Sequence, residues 1–238
     1  MLSSNEPREG QILCLGNALL DVTYFGDSHF LEENGLKAND AILLEEDRYK
    51  SMRSDLEKRF KTEDYVPGGA SQNTARCTQW LLSQLKKGAV TYMGSISDDE
   101  TGKMLKEKAS QAGVNGVYQL QNDGTPTGCC LVISWEHHRS LAAYLGAALK
   151  FTADHVKNNW KDVEKAQLCY VEGFFLSTCM EACKLVASHF VEQPEKRFML
   201  NLSAEFVTTF HKHMLLEILP FVDVLFGNDT EFCKFFTT

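Results

Sequence analysis

Short apolar runs alternate along this chain with longer stretches whose apolar residues recur every three to four positions. That rhythm predicts βα units feeding a parallel sheet. Runs at residues 11–15, 90–96, 168–172, 198–202 and 222–226 read as buried strands. Helical patterns lie between them at 47–60, 71–85, 99–112, 179–192 and 212–219. Thr178 followed by Glu181 has the form of a capping box, and Gly113 stands where the helix before it should stop. Two stretches leave the rhythm. Residues 22–26 with 41–44, and 116–121 with 129–134, alternate and are separated by Gly, Asn and Pro. They are expected to pair as a small antiparallel sheet inserted into the α/β body, a lid with few core contacts.

Composition narrows the class. At 238 residues the chain can bury a sizeable core as one domain. A net charge of −8 argues against a nucleic-acid or anionic-membrane partner, either of which favours a basic face. No apolar run is read as long enough to span a bilayer, and residues 1–10 lack the apolar core of a signal peptide. The eight cysteines show no zinc spacing and read as reduced thiols, with Cys14, Cys77 and Cys169 expected as small buried hydrophobes. A cytoplasmic setting follows, with the nucleus as a second compartment.

Several side chains have chemistry to offer. Asp21 follows the first strand past the turn at Gly16-Asn17, on the side of a parallel sheet where ligands bind. Its carboxylate either accepts both hydroxyls of a vicinal diol or caps a turn. Gly68-Gly69 lets the backbone approach a ligand closely, and Asn73 lies in the first turn of the following helix. The same pair is also what a plain turn before a helix looks like. Arg139 is either a fork for phosphoryl oxygens or a surface arginine. Asn228 and Glu231 have the spacing of a reciprocal helix cap.

The string Gly16-Asn17-Ala18-Leu19-Leu20-Asp21, and Pro67-Gly68-Gly69-Ala70-Ser71-Gln72-Asn73 with Trp80 after it, resemble the sugar-binding signature of the ribokinase family. Within that family they resemble the branch acting on adenosine. Segments 36–44, 126–130, 139–148, 173–175 and 201–206 agree in order and spacing. Three departures stand out: Ala41 where many relatives have Gln, and Glu172 and Glu205 where small or apolar residues or Pro are common. Those two carboxylates either alter pocket polarity or face outward. The turn at 135–138 is one residue longer than usual.

The resemblance implies a three-layer α/β sandwich with a mostly parallel sheet, one domain over 1–238, and a lid from about 21–46 and 115–146. It implies that Asn17, Asp21, Gly68, Gly69 and Asn73 meet the ribose. Leu43, Leu141, Leu145, Phe174 and Phe206 would wall the purine, and Cys129, Asn201 and Ser203 would complete the substrate site. Arg139 would steady the phosphoryl group, while Asn228 and Glu231 would organise phosphate and Mg²⁺ through water, with no residue liganding metal directly. The implied reaction moves the γ-phosphoryl of ATP to the 5′-hydroxyl of adenosine, giving AMP in purine salvage. The family keeps its base and anion hole in a Gly-Ala-Gly-Asp segment, which does not occur in the 238 residues. The general base is therefore expected beyond Thr238, the last residue of the sequence. The C-terminal third of the fold is expected to be absent with it, and the chain alone inactive; a complete form is expected to be monomeric. The alternatives are a non-catalytic nucleoside-binding product, a gene-model fragment, or a kinase of this family for another sugar or nucleoside.

Overall fold

The computed structural model describes residues 6–237. The first five residues of the polar segment 1–10 lie outside it, and so does Thr238, past which the general base is expected. Along the chain come β1 (Ile12–Leu15), β2 (Leu19–Phe25), α1 (Ser28–Glu33), β3 (Ala41–Leu43) and α2 (Glu46–Arg59). Next are β4 (Thr62–Gly68), α3 (Ala70–Leu82), β5 (Val90–Ser97), α4 (Glu100–Gln111) and β6 (Asn115–Gln121). The hairpin of β7 (Gly128–Trp135) and β8 (His138–Tyr144) precedes α5 (Ala153–Asn158), α6 (Trp160–Lys165) and β9 (Leu168–Glu172). The chain then runs through α7 (Gly173–Val191), β10 (Arg197–Asn201), α8 (Glu205–Phe210), α9 (Lys212–Ile218), β11 (Val224–Phe226) and α10 (Asp229–Thr237).

The expected parallel sheet is present, in the order β11-β10-β9-β1-β5-β6. Successive side chains on its strands enter different cores. Leu13, Leu15, Cys169 and Val171 pack with Phe175, Val186 and Phe190 of α7. Cys14, Tyr92 and Tyr170 pack on the opposite face with Ala75 of α3 and Leu105 of α4. Burial on both sides explains why these strands read as nearly continuous apolar runs. Gly113 ends α4 with φ at +82°.

The second sheet has the order β3-β8-β7-β2-β4 and departs from expectation in three ways. It is mixed: β2 pairs antiparallel with β4 but parallel with β7, and β3 pairs parallel with β8. β6 is not part of it. Residues 115–121 instead extend the main sheet beside β5, because the α4 crossover returns the chain parallel to that strand. The second sheet thus lacks 115–121 and includes β4, whose Thr-Glu-Asp-Tyr-Val-Pro-Gly sequence gives no clear alternation and carries a Pro suited to a sheet edge.

Smaller expectations are also revised. α7 is two helical segments joined at a kink at Cys179 (φ −152°): the second starts at the kink, close to the expected position after Thr178, and the first, from Gly173, was not expected. The Thr178 hydroxyl donates to the Asn17 side chain at 2.9 Å instead of capping a helix. The 19 residues of α7 are, by length and composition alone, apolar enough to cross a membrane, contrary to the reading above. Their apolarity is used internally, since Phe175, Leu176, Val186 and Phe190 are buried against the sheet. The eight cysteines are free, and Cys77 is exposed on α3, not buried.

Candidate active site

Because the strands of the main sheet run parallel, the segments leaving their carboxyl ends meet at one edge, where the second sheet arches over them. A cavity of about 260 Å³ opens there. Three groups of residues line it.

The polar group is Asn17, Asp21, Asn73, Arg139 and Glu172. Asp21 lies within β2, paired with Val66 on one side and Cys130 on the other, so it is held by two ladders and not by a loop. It is 8% exposed. Burial pushes its carboxyl up from 3.8 to about 6, against the opposing pull of Arg139 and Arg76. The Arg139 guanidinium stands 3.7 Å from Asp21 and is itself more than half exposed. Both glycines of the Gly-Gly pair are required sterically. A Cβ on Gly68 would lie 2.0 Å from the Asp21 carboxylate, and one on Gly69 would lie 2.0 Å from the Asn17 carbonyl. Gly69 also has φ at +87°, which favours glycine. Asn73 accepts from the Arg76 guanidinium at 3.1 Å, so its amide is left with its NH₂ face to offer.

The apolar group is Leu19, Leu43, Leu141, Leu145, Phe174 and Phe206. The Phe174 and Phe206 rings are 5.6 Å apart and tilted by 33°. Phe174 is in the first turn of α7 and Phe206 in the first turn of α8, so both rings stand where their strands end. The third group is Gly69, which was expected, with Ala41, Ile42, Ala70, Cys130, Ala143 and Ser177, which like Leu19 were not foreseen as site residues.

The remaining expected residues have other positions. Gly68 shapes the wall from behind Asp21. Cys129 points away from the cavity into the core that holds Tyr49 and Tyr144, while its neighbour Cys130 faces the cavity. The two adjacent cysteines of a strand necessarily face opposite sides, and only the sheet's orientation says which faces inward. Asn201 and Ser203 are not among the lining residues. Ser203 takes φ at +72°, and its hydroxyl accepts from the Gly173 N–H at 2.8 Å, fixing the start of α7. Asn201 is held by Tyr170 and by the Ser203 N–H. Asn228 and Glu231 sit past β11 as a complete reciprocal cap. Glu231 accepts from the Asn228 backbone and side-chain nitrogens, and Asn228 accepts from the Glu231 N–H. Thr238, past which the base was expected, falls outside the described residues.

Glu205 faces solvent, but Glu172 does not. It is 1% exposed and accepts from the Asn17 N–H at 3.0 Å and the Ser71 N–H at 2.6 Å. Its departure from the small or apolar residues common at that strand end was the signal that could have marked it.

The sequence profile of the pfkB family carbohydrate kinases matches residues 30–237. The chain belongs to the pfkB carbohydrate kinase family. It is 40% identical over 232 residues to adenosine kinase 2 of Arabidopsis thaliana, covering 97% of this chain and 66% of that one. It is 37% identical to the adenosine kinase of Saccharomyces cerevisiae, covering 94% and 66%. The chain thus spans slightly less than two thirds of the curated relatives it matches. Among solved structures it is similar to Anopheles gambiae adenosine kinase in complex with P1,P4-di(adenosine-5) tetraphosphate. That match has a TM-score of 0.88 and 38% identity, covering 96% of this chain and 67% of the other. Schistosoma mansoni adenosine kinase in complex with adenosine gives a TM-score of 0.88 at 32% identity, covering 96% and 65%. The ribokinase-like three-layer architecture of this pfkB chain is therefore shared with adenosine kinases along nearly its whole length.

Proposed function

We propose that this chain carries the nucleoside half of an adenosine kinase, binding adenosine between the two sheets. The observation that carries the reading is the buried Asp21 carboxylate, held in β2 at one end of an apolar slot that ends in Phe174 and Phe206. A carboxylate accepts two hydroxyls of a vicinal diol, and flat apolar walls favour a planar base. A simple sugar would use the first feature and leave the second unfilled.

In the family reaction ATP is the co-substrate, and its γ-phosphoryl passes to the 5′-hydroxyl of the nucleoside. Arg139, exposed at the cavity mouth, is the residue suited to charge that spreads over the phosphoryl oxygens. Mg²⁺ would arrive with the nucleotide. The described residues contain no group of three or more His, Cys, Asp or Glu able to hold a metal ion, and the Glu231 carboxylate is occupied in its helix cap. No Gly-Ala-Gly-Asp segment occurs in the 238 residues, so we propose binding without turnover for this chain by itself. Loss of one oxyanion donor alone costs about 10²–10³ in rate.

Calorimetry with adenosine, ribose and fructose tests the reading, together with an assay for AMP formation from ATP and adenosine. Adenosine should bind and both sugars should bind far more weakly, with no AMP formed. Ribose or fructose binding as tightly as adenosine would overturn the nucleoside assignment, and near-normal AMP formation would overturn the non-catalytic one.

A further inference from the structure

Glu172 is the last residue of β9 and immediately precedes α7. Its two oxygens reach different segments. Oε1 accepts from the Asn17 N–H in the loop after β1, 155 positions away, and Oε2 accepts from the Ser71 N–H in the first turn of α3, 101 positions away. Gly16 makes this close approach possible: a Cβ there would lie 2.4 Å from Ser71 and 3.1 Å from Glu172 Oε1. The two segments so joined are the ones that carry Asn17, Gly69 and Asn73 to the cavity. Thr178 of α7 adds a second tie to the Asn17 side chain.

We propose that Glu172 is a positioning residue, a carboxylate clasp that holds the Asn17 loop and the N-terminus of α3 in register and so sets the geometry of the ribose subsite. This rests on the nucleoside reading for its ligand, but the clasp itself does not. Both oxygens are committed to backbone N–H groups, so the side chain acts through those segments and not on the substrate. A helix N-terminus favours an anion at this place. Protonation would turn one acceptor into a donor facing an N–H and release that segment.

Burial supports such sensitivity, since it pushes the Glu172 carboxyl up from 4.5 to about 7 while the Asn17 and Ser71 N–H groups pull the other way. The titratable groups around it are Cys14 of β1, Tyr92 of β5, Tyr170 of β9 itself and Cys183 of α7. Each is raised above its ordinary value by burial and so stays neutral between pH 5 and 8. α3 and β10 present Ser71 and Asn201, which do not titrate. Asp21, in the same cavity, titrates lower, at about 6.

The test follows the ¹⁵N-labelled 238-residue chain by amide NMR from pH 5 to pH 8.5, as wild type and as Glu172→Gln, with adenosine affinity measured over the same range. In the wild type, the Asn17 and Ser71 amides should titrate together with one midpoint near that of Glu172. Glu172→Gln should abolish that shared titration. It should also weaken adenosine binding about tenfold at pH 8, and should keep only the lower limb belonging to Asp21. A simple structural loss would lower the melting temperature without removing one limb and sparing the other. The clasp is overturned if the two amides do not titrate together, if they titrate alike in Glu172→Gln, or if that variant binds adenosine normally at pH 8. Should Glu172→Gln fail to fold, the wild-type amide titration decides alone. Should adenosine fail to bind the wild type, the nucleoside reading falls and the amides again decide the clasp.

Discussion

Replacing Asp21 by Asn should raise the melting temperature of the free chain at neutral pH while weakening its hold on adenosine. The two effects share one origin. Burial moves this carboxyl from 3.8 to about 6, which makes the ionised form roughly 3 kcal/mol less favourable in the folded chain than in the unfolded one. The side chain is only 12% exposed, so solvent screening removes little of that. Because the folded chain holds the proton more tightly, the contribution of Asp21 to stability falls as pH rises from about 4 to about 6 and stays low above that. At pH 7.5 Asn removes the ionisation cost but must itself be desolvated. The expected net gain is about 1–2 kcal/mol, or roughly 2–8 °C in Tm for a domain of this size. Scanning calorimetry at pH 7.5 and pH 4.5 should show the gain at the higher pH and little at the lower. Binding should move the other way, since each charge-assisted hydrogen bond lost costs about 1.5–3 kcal/mol, at least tenfold in Kd. In the wild type the lower limb of the affinity profile should follow the ionised fraction of Asp21, about a tenth at pH 5, so this limb alone should weaken Kd about tenfold between pH 8 and pH 5, on top of the upper limb assigned to Glu172. Asp21→Asn should remove that lower limb and leave the upper one. A lower Tm for Asp21→Asn at pH 7.5, or unchanged adenosine affinity, would refute the reasoning.

Three further outcomes are expected. Gly68→Ala would place a methyl 2.0 Å from the Asp21 carboxylate, which two ladders hold in place, so it should cost about 1–3 kcal/mol of stability and weaken adenosine binding; calorimetry showing neither change would contradict this. Phe174→Ala removes one of two rings 5.6 Å apart, and at about 1–3 kcal/mol per stacked base should weaken adenosine roughly 5- to 150-fold without affecting ribose. Equal losses for both ligands would show that the ring does not face the purine. Among the described residues β11 is an edge strand of the main sheet, with Val224 and Phe226 39% and 42% exposed, and Phe210 and Phe236 are exposed on the helices that follow β10 and β11. Sedimentation should reveal concentration-dependent association that Val224→Lys reduces; a monomer at all concentrations would remove the argument.

The sequence by itself determined the elements whose signals are local. Continuous apolar runs marked β1, β5, β9 and β10 because each is covered on both faces. Gly113 marked the end of α4 because a residue there needs a left-handed backbone. Asn228 and Glu231 marked their cap because its partners are three residues apart. Gly-Gly before α3 and Asp21 after β1 were legible for the same reason. Which strands pair was not local: 115–121 and 129–134 look alike in sequence, yet one borders β5 and the other β2, since pairing depends on where a crossover returns the chain. The choice between Cys129 and Cys130 depended on the orientation of a whole sheet. Most of all, the partners of Glu172 were decided by tertiary structure alone. A carboxylate after a buried strand is costly in isolation, and the two N–H groups that sustain it come from Asn17 and Ser71, far away in sequence and brought together only when the sheet forms.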